Sequence, residues 1–389
     1  MKPGLGALKA GYFGYFAAVG VFQPYWSLEL AAQGFGAAAI GTLLATGSGA
    51  RVVAPLVQAR ISAILGDSGR ALAVAAALAA LLVPFIAATR SLPQALVLTA
   101  LFALCFNGLM PVYDALALER LGLDAARYGR LRLWGSIGYV VASLAVGPLV
   151  RHVGVRAIPL SLVLCLLATA ALCLGLRGTR RAPRDEARVA AVPGAGGWWF
   201  LGVCFLHLVG FAAYYGFYSL YLAEHGFSEG VIGALWALGV LAEIAFFFAA
   251  APLVRGVSAK TLLLVALGVT VLRWLAIAAF PDSLAVLALA QVAHLAGFAL
   301  FHTVSVLIAP GLLGTDRERA QALVSSAGWG AGLVVGSALA GGVWQALGPR
   351  MMYVMAALVT LLAGVVAQVM LSGSALAAAT SPARAGESR

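Results

Sequence analysis

Twelve apolar runs, each about as long as a bilayer is thick, constrain this chain more than any other feature of its sequence. They lie near residues 8–31, 37–59, 71–89, 94–118, 131–150, 157–176, 198–223, 229–254, 259–280, 283–311, 320–346 and 351–372. A helix needs roughly 20 apolar residues to cross a membrane. Since 62% of the 389 residues are hydrophobic and 10% are charged, no sizeable soluble domain fits between the runs. Because the runs are continuous rather than alternating, they predict an all-α polytopic membrane protein with twelve transmembrane helices and exclude a transmembrane β-barrel.

The basic residues predict the orientation of these spans. Of the 25 Lys and Arg residues, 19 fall on the side that carries both termini and the long connection after span 6. The positive-inside rule therefore puts both termini in the cytoplasm, and we expect the spans to lie in a cytoplasmic (inner) membrane. The net charge of +11 is explained by this topology and requires no nucleic-acid partner.

An internal repeat organises the chain into two halves. Residues 25–47 align without a gap on residues 217–239, at an offset of 192, and 11 of the 23 positions are identical. Two parallel six-helix halves indicate the major facilitator architecture, in which substrate lies between the halves near the middle of the membrane. The predicted divisions are an N-terminal half (1–177), a cytoplasmic linker (178–197), a C-terminal half (198–372) and a disordered cytoplasmic tail (373–389).

Four charged residues fall inside predicted spans: Arg51, Asp114, Glu243 and Arg273. Each costs at least about 2.5–3.5 kcal/mol at mid-bilayer, so each needs a partner, a cavity or both. The repeat makes Arg51 and Glu243 equivalent, and they could pair across the halves or neutralise neighbours on spans 5 and 11. Static ion pairs are one interpretation of these charges. Binding of substrate, a proton or a gate partner is the other.

Histidines and tyrosines add candidates for the same cavity. His294 and His302 are eight residues apart on span 10, about 80° around a regular helix, and imidazole titrates near physiological pH. Tyr15 on span 1, with Tyr214 and Tyr218 on span 7, belongs to aromatic stripes that could line a pocket.

Several motifs in order carry a family resemblance. They are Pro-Tyr-Trp-Ser at 24–27, Ile-Gly-Thr-Leu-Leu at 40–44, Pro-Val-Tyr-Asp-Ala-Leu-Ala at 111–117, Arg-Leu-Trp-Gly-Ser at 132–136 and Leu-Gly-Val-Leu-Ala-Glu at 238–243. With them, the chain resembles the 3-phenylpropionic acid transporter family of the major facilitator superfamily along nearly its whole length. More distantly it is similar to lactose permease and the oligosaccharide:proton symporters. In those proteins an acid on helix 4 and an arginine on helix 5 bind sugar at the spacing of Asp114 and Arg132.

The chain also departs from the permease pattern. Where that pattern has an arginine on helix 9, a histidine on helix 10 and a glutamate three residues later, this sequence has Arg273, His294 and Gly297. The residue that carries the proton is therefore not assigned by the resemblance. The superfamily loop between spans 2 and 3, which controls conformation at the inner face, is reduced to a segment from Asp67 to Arg70.

Together these features predict a secondary active transporter, a proton-coupled symporter of a small aromatic acid such as phenylpropionate, working by alternating access. Arg132 or Arg273 would hold the carboxylate, because a guanidinium stays charged and binds it bidentately. Trp134 would stack on the substrate or anchor the membrane interface. The predicted substrate-binding set is Arg132, Arg273, Arg51, Tyr15, Tyr214, Tyr218 and Trp134, and the predicted proton-coupling set is Asp114, Glu243, His294 and His302.

Other functions remain open at this point. The Asp114–Arg132 pair would also suit a neutral sugar or nucleoside, and a transporter-like sensor or a lipid-modifying membrane protein is the alternative of another class. Since the sequence has no catalytic nucleophile motif and no metal-ligand cluster, we expect no enzyme activity, no metal and no cofactor. The expected partners are the small-molecule substrate, protons and the lipid bilayer, with the chain acting as a monomer.

Overall fold

The computed structural model describes residues 5–121, 125–176, 193–254, 256–373 and 376. The twelve helices are α1 (Leu5–Ala32), α2 (Ala37–Leu65), α3 (Ser68–Ala88), α4 (Leu92–Leu121), α5 (Ala125–Val153), α6 (Ala157–Cys173), α7 (Ala195–Glu224), α8 (Glu229–Val254), α9 (Ala259–Ala279), α10 (Leu284–Leu313), α11 (Arg317–Leu347) and α12 (Pro349–Met370). Among the described residues, 11 of these helices are long and apolar enough to cross a bilayer, and α6 is an apolar helix of 17 residues. The predicted twelve-helix fold is confirmed. The linker residues 178–192 and the tail residues 377–389 lie outside the described residues.

Three of the helices are not regular along their whole length. Helix α4 is interrupted at Gly108, between segments that end at Asn107 and begin at Leu109. Helices α10 and α11 each contain a π-helical segment, at Ala296–Leu300 and Ser326–Gly332. Such widened turns occur mostly as single insertions within α-helices and are frequent at functional sites.

The two halves pack in the same way, as the repeat predicts. Helix α1 packs against α5 and α6, and its counterpart α7 packs against α11 and α12. Their interiors hold large aromatic side chains, including Tyr12 and Tyr113 in the first half and Tyr218 and Trp274 in the second, all fully buried.

The halves touch each other at the end of the bundle remote from the two chain termini. There, Gly41 of α2 faces Gly341 of α11 so closely that a Cβ on Gly41 would sit 3.0 Å from the Gly341 Cα. Helices α5 and α8 meet in the same way where Gly147 faces the backbone of Glu229. The Tyr25 hydroxyl donates to the Ser143 carbonyl at 2.6 Å on the same side. Backbone-to-backbone packing therefore closes this end.

The outer perimeter of the bundle is apolar. Large side chains such as Ile64, Phe248 and Val369 are 81%, 78% and 71% exposed. Contiguous exposed apolar surface of this extent is unfavourable in water and is what lipid chains cover.

Candidate functional site

Charged and aromatic side chains of the two halves face each other: Arg51 lies beside Trp329, and His302 is within electrostatic range of Arg132. We call the space between them the central cavity, and Asp114 borders it because it faces Arg132. Arg51, Arg132 and His302 are accessible although protein surrounds them on most sides. Because the backbone-to-backbone contacts at Gly41 and Gly147 lie at the end remote from the termini, we infer that the cavity opens toward the side of the termini.

In the first half, three donors surround the carboxylate of Asp114. Its Oδ1 accepts from the Tyr12 hydroxyl at 2.6 Å and from the Tyr128 hydroxyl at 2.7 Å. The Arg132 Nη1 is 3.8 Å from the same oxygen, and its guanidinium lies 5.5 Å from the ring centre of Phe16. Asp114 Oδ1 is therefore the shared acceptor of this cluster.

In the second half, the carboxylate of Glu243 has a different partner. Its Oε1 is 2.8 Å from His294 Nε2, while the side chains of His294 and Glu243 are only 4% and 15% exposed. At this distance a proton lies between the two atoms, on the imidazole or on the carboxyl. Because histidine has a free proton site on its ring, the pair can gain or lose one proton without breaking its contact.

Arg273 lies behind this pair, away from the cavity. It is 2% exposed, and its Nε donates to the Ala290 carbonyl at 2.7 Å. Its guanidinium carbon lies 4.2 Å from the ring centre of Tyr214 and 4.4 Å from that of Trp274. Cation–π contacts in a desolvated site contribute about 2 kcal/mol, which helps to offset burial of this charge.

Arg51 is the cavity arginine with no acidic partner in the described part of the chain. Its guanidinium lies 5.8 Å from the ring centre of Trp329, which belongs to the other half. Arg132, by contrast, faces Asp114, and Arg273 is enclosed by aromatic rings. The structure does not bring Arg51 and Glu243 together as an ion pair, although the repeat makes them equivalent.

The π-helical turn of α10 changes the direction of its two histidines. The ring of Phe298 lies nearly parallel to that of His294, with centres 5.6 Å apart, and to that of His302, 6.5 Å away. All three rings therefore share one face, where a regular helix would separate the histidines by about 80°. The π turn takes up an extra residue between them, which rotates His302 toward the face of His294.

Gly297 lies in this turn, where the permease pattern has a glutamate. A Cβ at this position would meet the Thr270 hydroxyl and would sit 2.8 Å from Phe211 Cζ. An acidic side chain therefore has no room here. Glu243, projecting from α8, reaches the same histidine from the opposite side.

The remaining predicted site residues lie outside the cavity or border it. Tyr15 is 7% exposed and contacts the ring of Phe106, within electrostatic range of Arg51 and Arg132. Tyr214 is buried and donates to Gln291 Oε1 at 2.9 Å, and Tyr218 packs beside it.

Two further predictions fall on the side of the termini. Trp134 is exposed and faces Lys9, whose Nζ lies 5.7 Å from the indole centre, about 200° around α5 from Arg132. In the loop before α3, Asp67 is the helix N-cap, and its carboxylate accepts from the backbone N–H of Arg70 at 2.7 Å. Neither residue contacts the cavity charges in this conformation.

Sequence reasoning missed Tyr128, Gln291 and Trp329. Tyr128 precedes Arg132 by one helical turn, a spacing that could have suggested it as a second partner of Asp114. Trp329 lies in a Gly-rich stretch, Ser-Ala-Gly-Trp-Gly-Ala-Gly, whose glycines signal irregular helix. Across the described ranges, no three His, Cys, Asp or Glu side chains are grouped as metal ligands.

The fold agrees with comparisons to known proteins. The model of the MFS_1 like family matches residues 5–355. Over 365 residues, the chain is 33% identical to a "Probable 3-phenylpropionic acid transporter" of Escherichia coli (strain K12), covering 90% of this chain and 93% of that protein. It is 30% identical over 285 residues to a maltose permease of Geobacillus stearothermophilus, covering 69% and 70% of the two chains.

A solved structure extends the similarity to three dimensions. A mutant form of the nucleoside transporter NupG superposes with a TM-score of 0.80 at 15% identity, covering 95% of this chain and all of that one. At this identity the likeness concerns the fold alone. The chain belongs to the MFS_1 like family, and it is a multi-pass membrane transporter of the major facilitator superfamily rather than an enzyme.

Proposed function

We propose that this chain is a proton-coupled symporter of a small aromatic carboxylate, such as phenylpropionate, in a bacterial cytoplasmic membrane. The proposal rests on Arg51, a cavity arginine with no acidic partner among the described residues. The other accessible guanidinium of the cavity, that of Arg132, faces a carboxylate. A cation in a low-dielectric cavity favours an anionic ligand, and a guanidinium binds a carboxylate through two parallel hydrogen bonds.

Elimination among the three arginines supports Arg51 as the carboxylate ligand. Arg132 lies 3.8 Å from the Asp114 carboxylate, which repels a second anion. Arg273 is buried between two aromatic rings, so a bulky acid does not reach it in this conformation. Of these three arginines, Arg51 is the one that is both accessible and without an acidic partner among the described residues.

Aromatic side chains adjoin Arg51 and suit a ring-bearing substrate. Trp329 lies beside its guanidinium, and the rings of Tyr215 and Phe298 are 5.6 Å and 5.9 Å from the Trp329 ring. A substrate with its carboxylate on Arg51 would contact residues of both halves. Binding there would therefore favour the conformation in which the halves approach each other.

The Glu243–His294 pair would carry the proton. Moving a bare charge across the membrane is costly. Reorientation is therefore easiest when the substrate anion and one proton are both bound, or when both sites are empty. This rule couples the two fluxes without direct contact between substrate and proton. With both termini in the cytoplasm, the cavity of this structure faces inward and represents a release state.

Uptake into proteoliposomes under an imposed pH gradient tests the proposal. Purified protein is supplied in parallel with radiolabelled phenylpropionate, a galactoside and a nucleoside. We expect accumulation of phenylpropionate above its equilibrium level, abolished by a protonophore. Accumulation of none of the three, or of phenylpropionate without a pH gradient, would contradict the mechanism.

A neutral sugar or nucleoside is the second candidate. The Asp114 cluster supports it, since a carboxylate, a guanidinium and two phenols offer both acceptors and donors to hydroxyl groups. The maltose permease similarity points in the same direction. In the same panel, this alternative predicts accumulation of the galactoside or nucleoside and none of phenylpropionate.

A further inference from the structure

A small, partly open space lies between the two π-helical segments of the second half. We call it the π pocket, and define it by His207 of α7, Gly297 and Ser305 of α10, and Gly328 and Trp329 of α11. Both π segments border it, and its volume is about 30 Å³. His207 and Ser305 are buried in it, whereas His302 and Trp329 line it beside the central cavity.

His207 connects α7 to the π turn of α10. Its Nε2 is 2.8 Å from the Gly297 carbonyl oxygen. Because a carbonyl only accepts hydrogen bonds, Nε2 carries the hydrogen and donates it. The ring is held in this direction by Phe301, which stacks on it at 4.0 Å, and by Phe211 at 4.8 Å.

Two buried polar atoms of the π pocket have no hydrogen-bond partner. They are His207 Nδ1 and Ser305 Oγ, on residues that are each 1% exposed. The Ser305 hydroxyl faces the Cys204 thiol without making a hydrogen bond of good geometry. Buried polar atoms of this kind are normally satisfied by ordered water, which needs about 10–15 Å³ and two or more polar partners. The π pocket offers both.

We propose that the π pocket holds an ordered water between His207 Nδ1 and Ser305 Oγ, and that His207 is thereby a positioning residue for His294. The water donates a hydrogen bond to His207 Nδ1. The ring hydrogen therefore stays on Nε2, which donates it to the Gly297 carbonyl oxygen. Gly297 follows His294 by three residues, so the direction of the His294 ring depends on how this turn is held. The inference rests on the proposed role of His294 in proton coupling.

The surroundings of His294 show what a displaced ring would lose. Glu243 faces it from α8, Arg273 from α9, and His207, Tyr214 and Tyr215 from α7. Glu243 is the acid in contact with it, at 2.8 Å. A change of direction that breaks this contact would leave His294 beside a buried arginine without its carboxylate.

Substitutions at position 207 whose side chains differ in length test the proposal. Gln extends its amide to about the position of Nε2 and can donate to Gly297, whereas Asn is too short. We expect H207N to speed deuterium exchange of the backbone amides of residues 296–301 by about tenfold, the equivalent of one hydrogen bond. We expect H207N to lower pH-driven uptake by about tenfold or more, since small misplacements of reacting groups are costly. H207Q should retain both properties.

S305A removes one partner of the water while leaving the His207 ring in place. We expect it to speed exchange of the same amides by a smaller factor than H207N. If H207N and S305A both exchange like the parent protein, the water and its positioning role are overturned. Deuterium exchange does not depend on transport, so this result is independent of the proposed function. The proposed function fails instead if E243Q still accumulates substrate uphill.

Discussion

The two halves of this protein hold their buried acids in opposite ways. In the first half, Asp114 accepts from two phenols at 2.6 Å and 2.7 Å and faces a guanidinium. In the second half, Glu243 contacts one imidazole at 2.8 Å. Asp114 is thus held by two hydroxyl donors and an ion pair, whereas Glu243 contacts a histidine, the side chain that exchanges protons most readily near neutral pH. The two halves of the repeat therefore differ in the partners of their acids: phenols and a guanidinium in the first, an imidazole in the second.

The largest effect that this comparison predicts is that of E243Q. We expect the variant to lose accumulation driven by a pH gradient, because glutamine cannot exchange a proton with His294. It should retain exchange of labelled for unlabelled substrate, which needs no net proton movement. Uptake and counterflow in the same proteoliposomes measure the two activities.

E29Q is the matched control for that variant. Glu29 is another buried acid, 6% exposed, whose partner is Gln33 at the closed end of the bundle. We expect pH-driven uptake by E29Q to equal that of the parent protein. Equal losses in E29Q and E243Q would mean that buried charge in general, and not the histidine pair, determines coupling.

The next effect is that of R51A on substrate affinity. Loss of a charge-assisted hydrogen-bonded pair should raise the KM for phenylpropionate by about tenfold to a hundredfold. R51K should recover part of the affinity, because an ammonium keeps the charge but not the bidentate geometry. Binding of the uncharged amide of the substrate serves as the control, and an equal loss for acid and amide would exclude a carboxylate contact.

D114N should have a smaller effect and retain accumulation driven by a pH gradient. Asn keeps an acceptor for the phenols but removes the counter-charge of Arg132, whose side chain is 43% exposed. Exposed ion pairs contribute about 1 kcal/mol or less, which corresponds to a loss in transport of about fivefold. Loss of this accumulation in D114N, as in E243Q, would show that coupling needs the acids of both halves, and the contrast between them would disappear.

Sequence reasoning predicted the twelve helices and the family correctly, because apolar runs and motif order depend only on the chain itself. It also identified Arg51, Asp114, Glu243 and His294 as the charges to explain. Apart from the Asp114–Arg132 pair, which the family resemblance implied, it did not predict their partners. The repeat relates Arg51 to Glu243, yet one lies beside Trp329 and the other contacts His294.

The reason lies in the π-helical turns of α10 and α11. Each turn inserts a residue into the helical repeat and redirects the side chains that follow, so a count of 100° per residue gives the wrong face for His302. Whether such a turn forms depends on packing between helices, as the contact of His207 with Gly297 illustrates. Tyr128 was missed for a simpler reason, since it lies in the segment that the apolar runs leave to a loop.

The last prediction concerns the stability of the fold at Gly297. A methyl group at this position would meet Thr270 and Phe211, and we expect G297A to lower the free energy of unfolding by about 1–3 kcal/mol. G268A is the control, because a Cβ on Gly268 meets nothing within 4 Å. Thermal unfolding in detergent compares the two variants. Equal stability would indicate that α10 moves aside easily, and that lack of room does not explain the absence of an acid from this helix.

The crowding at Gly297 also bears on how such transporters evolve. A glutamate introduced at this position would need smaller residues at positions 270 and 211 first. While Glu243 already contacts His294, those enabling substitutions bring no benefit of their own. The order of mutations therefore matters, and a transfer of the acid from α8 to α10 would pass through less stable intermediates.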